Sequence, residues 1–117
     1  MTMEWKKCHI NVPLNDKGVA ERAASNGDMP NVVSYTLSSD EYYLLENVFN
    51  EWNRQFDLLI DIFEEETLEP RFCQEALEIL ERRAALSDGA EFLAAAEKLR
   101  KAHETAIKTK MSVYLDF

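Results

Sequence analysis

Glycine and proline are scarce in this chain, three of each in 117 residues. So few turn formers predict long elements joined by few turns. The shortage also excludes chemistry. There is no Gly-rich phosphate cradle and no G-x-S-x-G nucleophile elbow. Cysteine is limited to Cys8 and Cys73, far apart and without metal-ligand or redox spacing. That pattern predicts two thiols in a reducing compartment, with a single disulfide as the alternative. No window approaches ~18 uninterrupted apolar residues, so no membrane span is expected. The opening MTMEWKKCHI lacks the apolar run of a signal peptide, and a cytoplasmic location follows as the expectation.

Bases are outnumbered, 13 Lys and Arg against 22 Asp and Glu, for a net charge of −9. This excess disfavours nucleic acid and anionic lipid as partners. With 46% apolar and 30% charged residues, a single globular domain over residues 1–117 is expected. Segments 1–37, 70–88 and 89–117 sum to 0, −1 and +1, whereas 38–69 carries ten acids and one base, Arg54. One stretch therefore holds the whole excess.

That stretch, Ser38 to Thr67, is also the longest periodic segment. Tyr42, Leu45, Phe49, Trp52, Phe56, Leu59 and Phe63 recur in steps of three and four, as on one stripe of a helix. Leu44, Val48, Leu58, Ile60 and Ile62 widen the stripe, leaving Asp57, Asp61, Glu64 and Glu65 as a polar edge. Ser38 and Glu41 have capping-box spacing, with Leu37 and Tyr42 placed as a hydrophobic staple. One continuous helix of about 42 Å is predicted, ending before Pro70.

Around it, Cys8, Ile10, Val12 and Leu14 alternate with His9, Asn11 and Pro13, the pattern of a half-buried strand. Pro13 is expected to keep that strand at an edge or to end it. A short helix is predicted over Asn15 to Ser25, weakened by Gly18 and closed by Asn26-Gly27, followed by a strand over Asn31 to Leu37. Pro70 to Leu86 reads as a helix with Cys73, Ala76, Leu77, Leu80 and Ala84 inward. Asp88 as N-cap with Glu91 starts another, running to about Lys110. The tail alternates Met111, Val113, Leu115 and Phe117, which suits either a strand or a frayed helix end. The expected fold is mainly α. It is an antiparallel three-helix bundle over 38–110 with a small N-terminal β element, which the tail 111–117 can join.

Candidate chemistry is sparse. Cys8 and His9 are adjacent on a strand and should face opposite sides, unlike a catalytic pair. His103 sits beside an Ala-rich stripe and reads as a buried, bonded histidine. Arg100, three residues before it, breaks any Glu-x-x-His pattern, so no metal or other cofactor is expected. The acidic edge remains: Glu46, Glu51, Asp57, Asp61, Glu64 and Glu65. Its like-charge neighbours at i,i+4 cost about 0.2–0.5 kcal/mol per pair, and its final acids oppose the helix dipole. In the bundle, Arg71, Lys108 and Lys110 would lie near Glu64 to Glu66. The reading is a non-enzymatic, acidic protein-interaction module presenting a helix face to a basic partner. Small acidic inhibitors, immunity proteins among them, are of this physical type. The alternative is a self-associating helical assembly protein, a homodimer buried through the apolar surplus of the central helix.

Overall fold

The computed structural model describes residues 6–24 and 27–117. The elements run β1 (Lys7–Pro13), α1 (Asp16–Ala24), β2 (Val32–Ser38), α2 (Ser39–Leu44), α3 (Glu46–Phe56), β3 (Glu65–Leu68), α4 (Pro70–Ala85), α5 (Ala90–Thr109) and β4 (Val113–Asp116). The four strands form one antiparallel sheet in the order β2-β1-β4-β3. This is an α+β fold and overturns the expected three-helix bundle. The central stretch does not stay helical. It supplies two helices, a turn and the edge strand β3, while the tail becomes the inner strand β4.

The long helix fails first at Leu45, where the backbone (φ −93, ψ 3) separates α2 from α3. It ends at Asp57, which takes the left-handed conformation (φ 56, ψ 51). Leu58 N then reaches back to Asn53 O at 3.1 Å, closing the last turn. Aspartate tolerates that conformation better than most residues because its short polar side chain bonds locally. The predicted start holds. Ser38 Oγ accepts from Glu41 N at 3.1 Å, and Glu41 Oε1 accepts from Ser38 N at 3.0 Å. Helix α4 begins at Pro70 as expected. Helix α5 differs: its N-cap is Gly89, not Asp88, and makes no side-chain cap bond.

Strand alternation divides the sheet into two faces. Cys8, Ile10 and Val12 of β1, Leu37 of β2, Leu68 of β3 and Val113 and Leu115 of β4 are fully buried. They join Tyr42, Leu45, Val48, Phe49, Trp52, Cys73, Leu80 and Leu99 from the helices in one core. Phe117 meets the Tyr42 and Phe49 rings at 5.8 and 5.6 Å between centroids. Trp52 donates its indole N–H to Ala76 O at 3.0 Å, which ties α3 to α4. Burial pushes the Cys73 thiol up to about 11, so it sits in the core as a neutral thiol.

Pro13 ends β1, one of the two outcomes expected of it, but does not hold the strand to an edge; β1 lies between β2 and β4. Leu14 N donates to Asn31 O at 2.8 Å on the β2 side, so the Pro13 nitrogen faces β4. There the ladder ends at Asn11↔Tyr114, and no donor is required. Gly18, expected to weaken α1, is its contact point: a Cβ there would lie 2.2 Å from Asn31 O. Gly27 takes φ 111, whereas Asn26, its predicted capping partner, lies outside the described residues.

Polar side chains cover parts of both sheet edges. On β2, Lys98 Nζ donates to Thr36 O at 2.8 Å, beside the Glu41 bond to Ser38 N. On β3, Thr67 N donates to Glu66 Oε1 at 3.1 Å. Edges covered in this way are poor templates for another strand.

Candidate functional site

The segment that left the helix carries the most unusual surface. After Asp57 its apolar residues switch from a period near 3.6 to a period of two. Ile60 and Ile62 are buried, at 5% exposure each, while Leu59 and Phe63 are 78% and 67% exposed. The backbone that makes this switch is held firmly. Asn53 donates from Nδ2 to Ile60 O at 3.1 Å and accepts at Oδ1 from Ile60 N at 2.7 Å. Glu66 Oε2 accepts from Leu59 N at 2.9 Å. Asp61 Oδ1 accepts from Phe63 N, and Asp61 O from Glu64 N, both at 3.1 Å. Asp61 and Glu64 also form an isolated β-bridge, so Ile62 and Phe63 occupy a tight turn. Lys6 Nζ lies 5.5 Å from the centre of the Phe63 ring. Two large apolar side chains thus project from a clamped backbone.

The six acids expected on one helix face are distributed over three settings. Glu46 opens α3, Asp57 caps its end, Asp61 and Glu64 belong to the turn, and Glu65 starts β3. Glu51 is diverted to α4, where Arg83 Nε donates to it at 2.6 Å and Arg82 also pairs with it. Burial acts to raise the Glu51 pKa, but the two guanidinium groups outweigh it and hold the carboxyl below its ordinary value. Glu46 and Asp61 both act electrostatically on the Tyr42 hydroxyl. Burial pushes that group up to about 12, and both carboxylates add to the rise. Among the described residues, Arg71, Lys108 and Lys110 form no ion pair with Glu64 to Glu66; Arg71 pairs with Glu69 at 2.8 Å. Among the described residues, Glu46, Asp57, Asp61, Glu64 and Glu65 form no ion pair. From 57 to 66 the chain has five acids and no base.

Sequence reasoning placed Leu59 and Phe63 on the core stripe and gave Asn53 no role. The signal that separates them was present, since Leu58, Ile60 and Ile62 alternate with Leu59, Asp61 and Phe63. It was masked because the same residues also satisfy a helical stripe. The apolar surplus expected to drive self-association is largely covered within the chain. Val48 is fully buried, Ile62 is 5% exposed and Leu58 packs on the core.

A second polar area lies on the outer face of the sheet, where α1 crosses it. Arg22 donates from Nε to Asp116 Oδ2 at 2.9 Å and pairs through a terminal nitrogen with Oδ1. Its guanidinium carbon stands 3.7 Å from the centre of the Tyr114 ring. Asn11 Nδ2 donates to Asp116 Oδ2 at 2.7 Å, and Ser34 Oγ lies 2.6 Å from Asn11 Oδ1. Arg22, Asp116, Asn11 and Ser34, with His9 and Glu65, line a cleft of about 490 Å³. Cys8 is buried on the inner face and His9 exposed on the outer one, so that pair points apart as expected.

His103 is fully buried, and its Nδ1 bonds Leu99 O at 2.8 Å. Its ring is 4.9 Å from Trp52 between centroids, and its Nε2 has no partner among the described residues. Burial pulls its pKa down to about 4. Among the described residues, no group of three or more His, Cys, Asp and Glu is placed to hold a metal ion. No described helix is long and apolar enough to cross a membrane. Comparison of the chain with protein families, curated proteins and solved structures finds no match in any of the three.

Proposed function

We propose that this protein is a non-enzymatic interaction module and that the acidic turn at 57–66 docks on a basic protein partner bearing an apolar pocket. The observation that carries this reading is the exposure of Leu59 and Phe63, at 78% and 67%, on a backbone clamped by Asn53, Asp61 and Glu66. An exposed apolar residue on a loose loop pays ordering entropy when it binds; one on a clamped turn pays less. Full burial of a Leu or Phe side chain contributes about 1.5–3 kcal/mol each. The acids around them, without an ion pair among the described residues, favour encounter with a positive surface and disfavour negative ones. Apolar anchors inside a charged rim are the usual anatomy of a protein-binding patch.

The test is site-specific photocrosslinking in the source cell. A benzophenone side chain at position 59 is compared with one at position 86, where Leu86 is 85% exposed on a different element. We expect a crosslinked protein with a basic surface from position 59 and not from position 86. The purified partner should then bind Leu59→Ser/Phe63→Ser at least tenfold more weakly. Crosslinks that are equal at both positions, or a double variant that binds normally, would overturn the reading.

A further inference from the structure

We infer that the cleft on the outer sheet face is a binding site for an organic cation, an ammonium or guanidinium group, with Glu65 as its counter-ion. This goes beyond the docking turn and does not depend on it.

The cleft brings together five elements: His9 and Asn11 from β1, Arg22 from α1, Ser34 from β2, Glu65 from β3 and Asp116 from β4. Its volume, about 490 Å³, falls within the range of small-ligand sites, roughly 300–1,000 Å³. The class of ligand follows from which donors and acceptors are already used. Asn11 donates to Asp116 through Nδ2, so its Oδ1 is the acceptor in the 2.6 Å contact with Ser34. The Ser34 hydroxyl must therefore donate in that contact, which leaves its oxygen an acceptor in the cleft lining. Arg22, the one permanent cation among the described lining residues, is bound to both oxygens of Asp116 and stacked on Tyr114. Its charge is balanced by Asp116 at close range, so it attracts an incoming anion less than an unpaired guanidinium would.

The acceptors are differently placed. Glu65 is exposed and, among the described residues, its carboxylate has no side-chain hydrogen bond or ion pair, although it lies near enough to Arg22 to add to the rise of that group's pKa. It is the cross-strand partner of Asp116, which in turn pairs with His9, so the three lie in a row across one face. With Arg22 and Asp116 cancelling, Glu65 leaves the lining with one net negative charge. A cleft whose permanent cation is already paired and whose net charge is negative suits a donor-rich cation.

The experiment is an amide-resolved NMR titration of the full chain at neutral pH. The probes are N-methylguanidinium chloride and n-propylammonium chloride, with sodium acetate as the anion control at matched ionic strength. We expect saturable shifts at His9, Ser34 and Glu65 with at least one of the two cations and none with acetate. Glu65→Gln should weaken the response roughly tenfold or more, as loss of a charged hydrogen bond does. Leu59→Ser/Phe63→Ser should leave it unchanged, which separates this site from the docking turn. A short arginine peptide that binds more tightly than N-methylguanidinium would assign the cation to a protein side chain; equal or weaker binding would assign it to a free small molecule. No saturable shift, equal shifts with acetate, or a Glu65→Gln protein that titrates like the parent would overturn the inference.

Discussion

Residues 38–56 and 57–68 are neighbours, both acidic and both rich in large apolar side chains, yet they solve burial differently. In the first, Tyr42, Leu45, Phe49, Trp52 and Phe56 all enter the core from one helical stripe. In the second, Ile60, Ile62 and Leu68 go in while Leu59 and Phe63 stay out. The first segment is stabilised by what its side chains bury. The second is held largely by polar bonds to its backbone, from Asn53, Asp61 and Glu66. Stability and exposure are thus divided between two adjacent stretches. The second stretch carries large apolar side chains at the surface.

The contrast breaks most sharply under truncation. Trp52 is fully buried and bonded to Ala76 O, and we expect Trp52→Ala to cost about 3–5 kcal/mol. Leu59→Ala should stay within roughly 0.5 kcal/mol, as for an ordinary surface change. Denaturant unfolding of both variants checks the pair, and a costly Leu59→Ala would place that side chain in the core.

Acid should act on the first region before the second. His103, against Trp52, has a folded pKa of about 4 compared with an ordinary 6.5. Because the folded value is the lower one, the folded state resists binding the proton. Stability is full above about pH 6.5 and falls as the pH drops toward 4. The loss totals about 3 kcal/mol, at most ~1.4 kcal/mol per pH unit. Chemical unfolding at stepped pH should show this decline beginning above the carboxylate range. In His103→Phe it should be absent between about pH 6.5 and 5.

The second region is probed through its clamp. Asn53→Ala removes both bonds to Ile60 and should cost about 1–3 kcal/mol. Amide exchange should quicken at Leu59 and Ile60 more than in α4, and uniform exchange would show that the clamp is not local. The smallest effect concerns the motif that ends α3. It recurs at Lys110 (φ 59), where Met111 N reaches Ala106 O at 3.0 Å. Lys110→Gly relieves a left-handed penalty of about 1–2 kcal/mol but loosens the unfolded chain by roughly 0.5–1. A net gain under about 1 kcal/mol, read as a higher melting temperature, is expected.

Much of the local structure was legible. The capping box at Ser38 and Glu41, Pro70 opening α4, the inner face of α4 and the alternation of β1 and of the tail follow from spacing alone. The strand order was not. Nothing local says that a tail pairs between β1 and a strand from mid-chain, so the outer-face residues Asn11, Ser34, Glu65 and Asp116 could not be brought together. The longest error, a helix continued past Asp57, has a plain cause. DLLIDIF fits a period of 3.6 and a period of two equally well, and only the contacts of Asn53 with Ile60 decide between them. Of the acidic site, composition located the excess charge in the right stretch. It could not show that Glu51 is neutralised by Arg82 and Arg83, or that Asp57 and Asp61 also shape the backbone.

The measurement that bears most directly on the docking turn is the association and dissociation kinetics of the position-59 crosslinked partner, taken over a range of salt. Reversal of Glu46 and Glu64 to Lys avoids the backbone roles of Asp57 and Asp61. It should slow association and flatten its salt dependence. Leu59→Ser/Phe63→Ser should leave association nearly unchanged and speed dissociation by roughly a hundredfold or more, the equivalent of ~3 kcal/mol of lost burial. Unchanged rates in both variants would contradict the account and leave the acidic turn a solubilising surface.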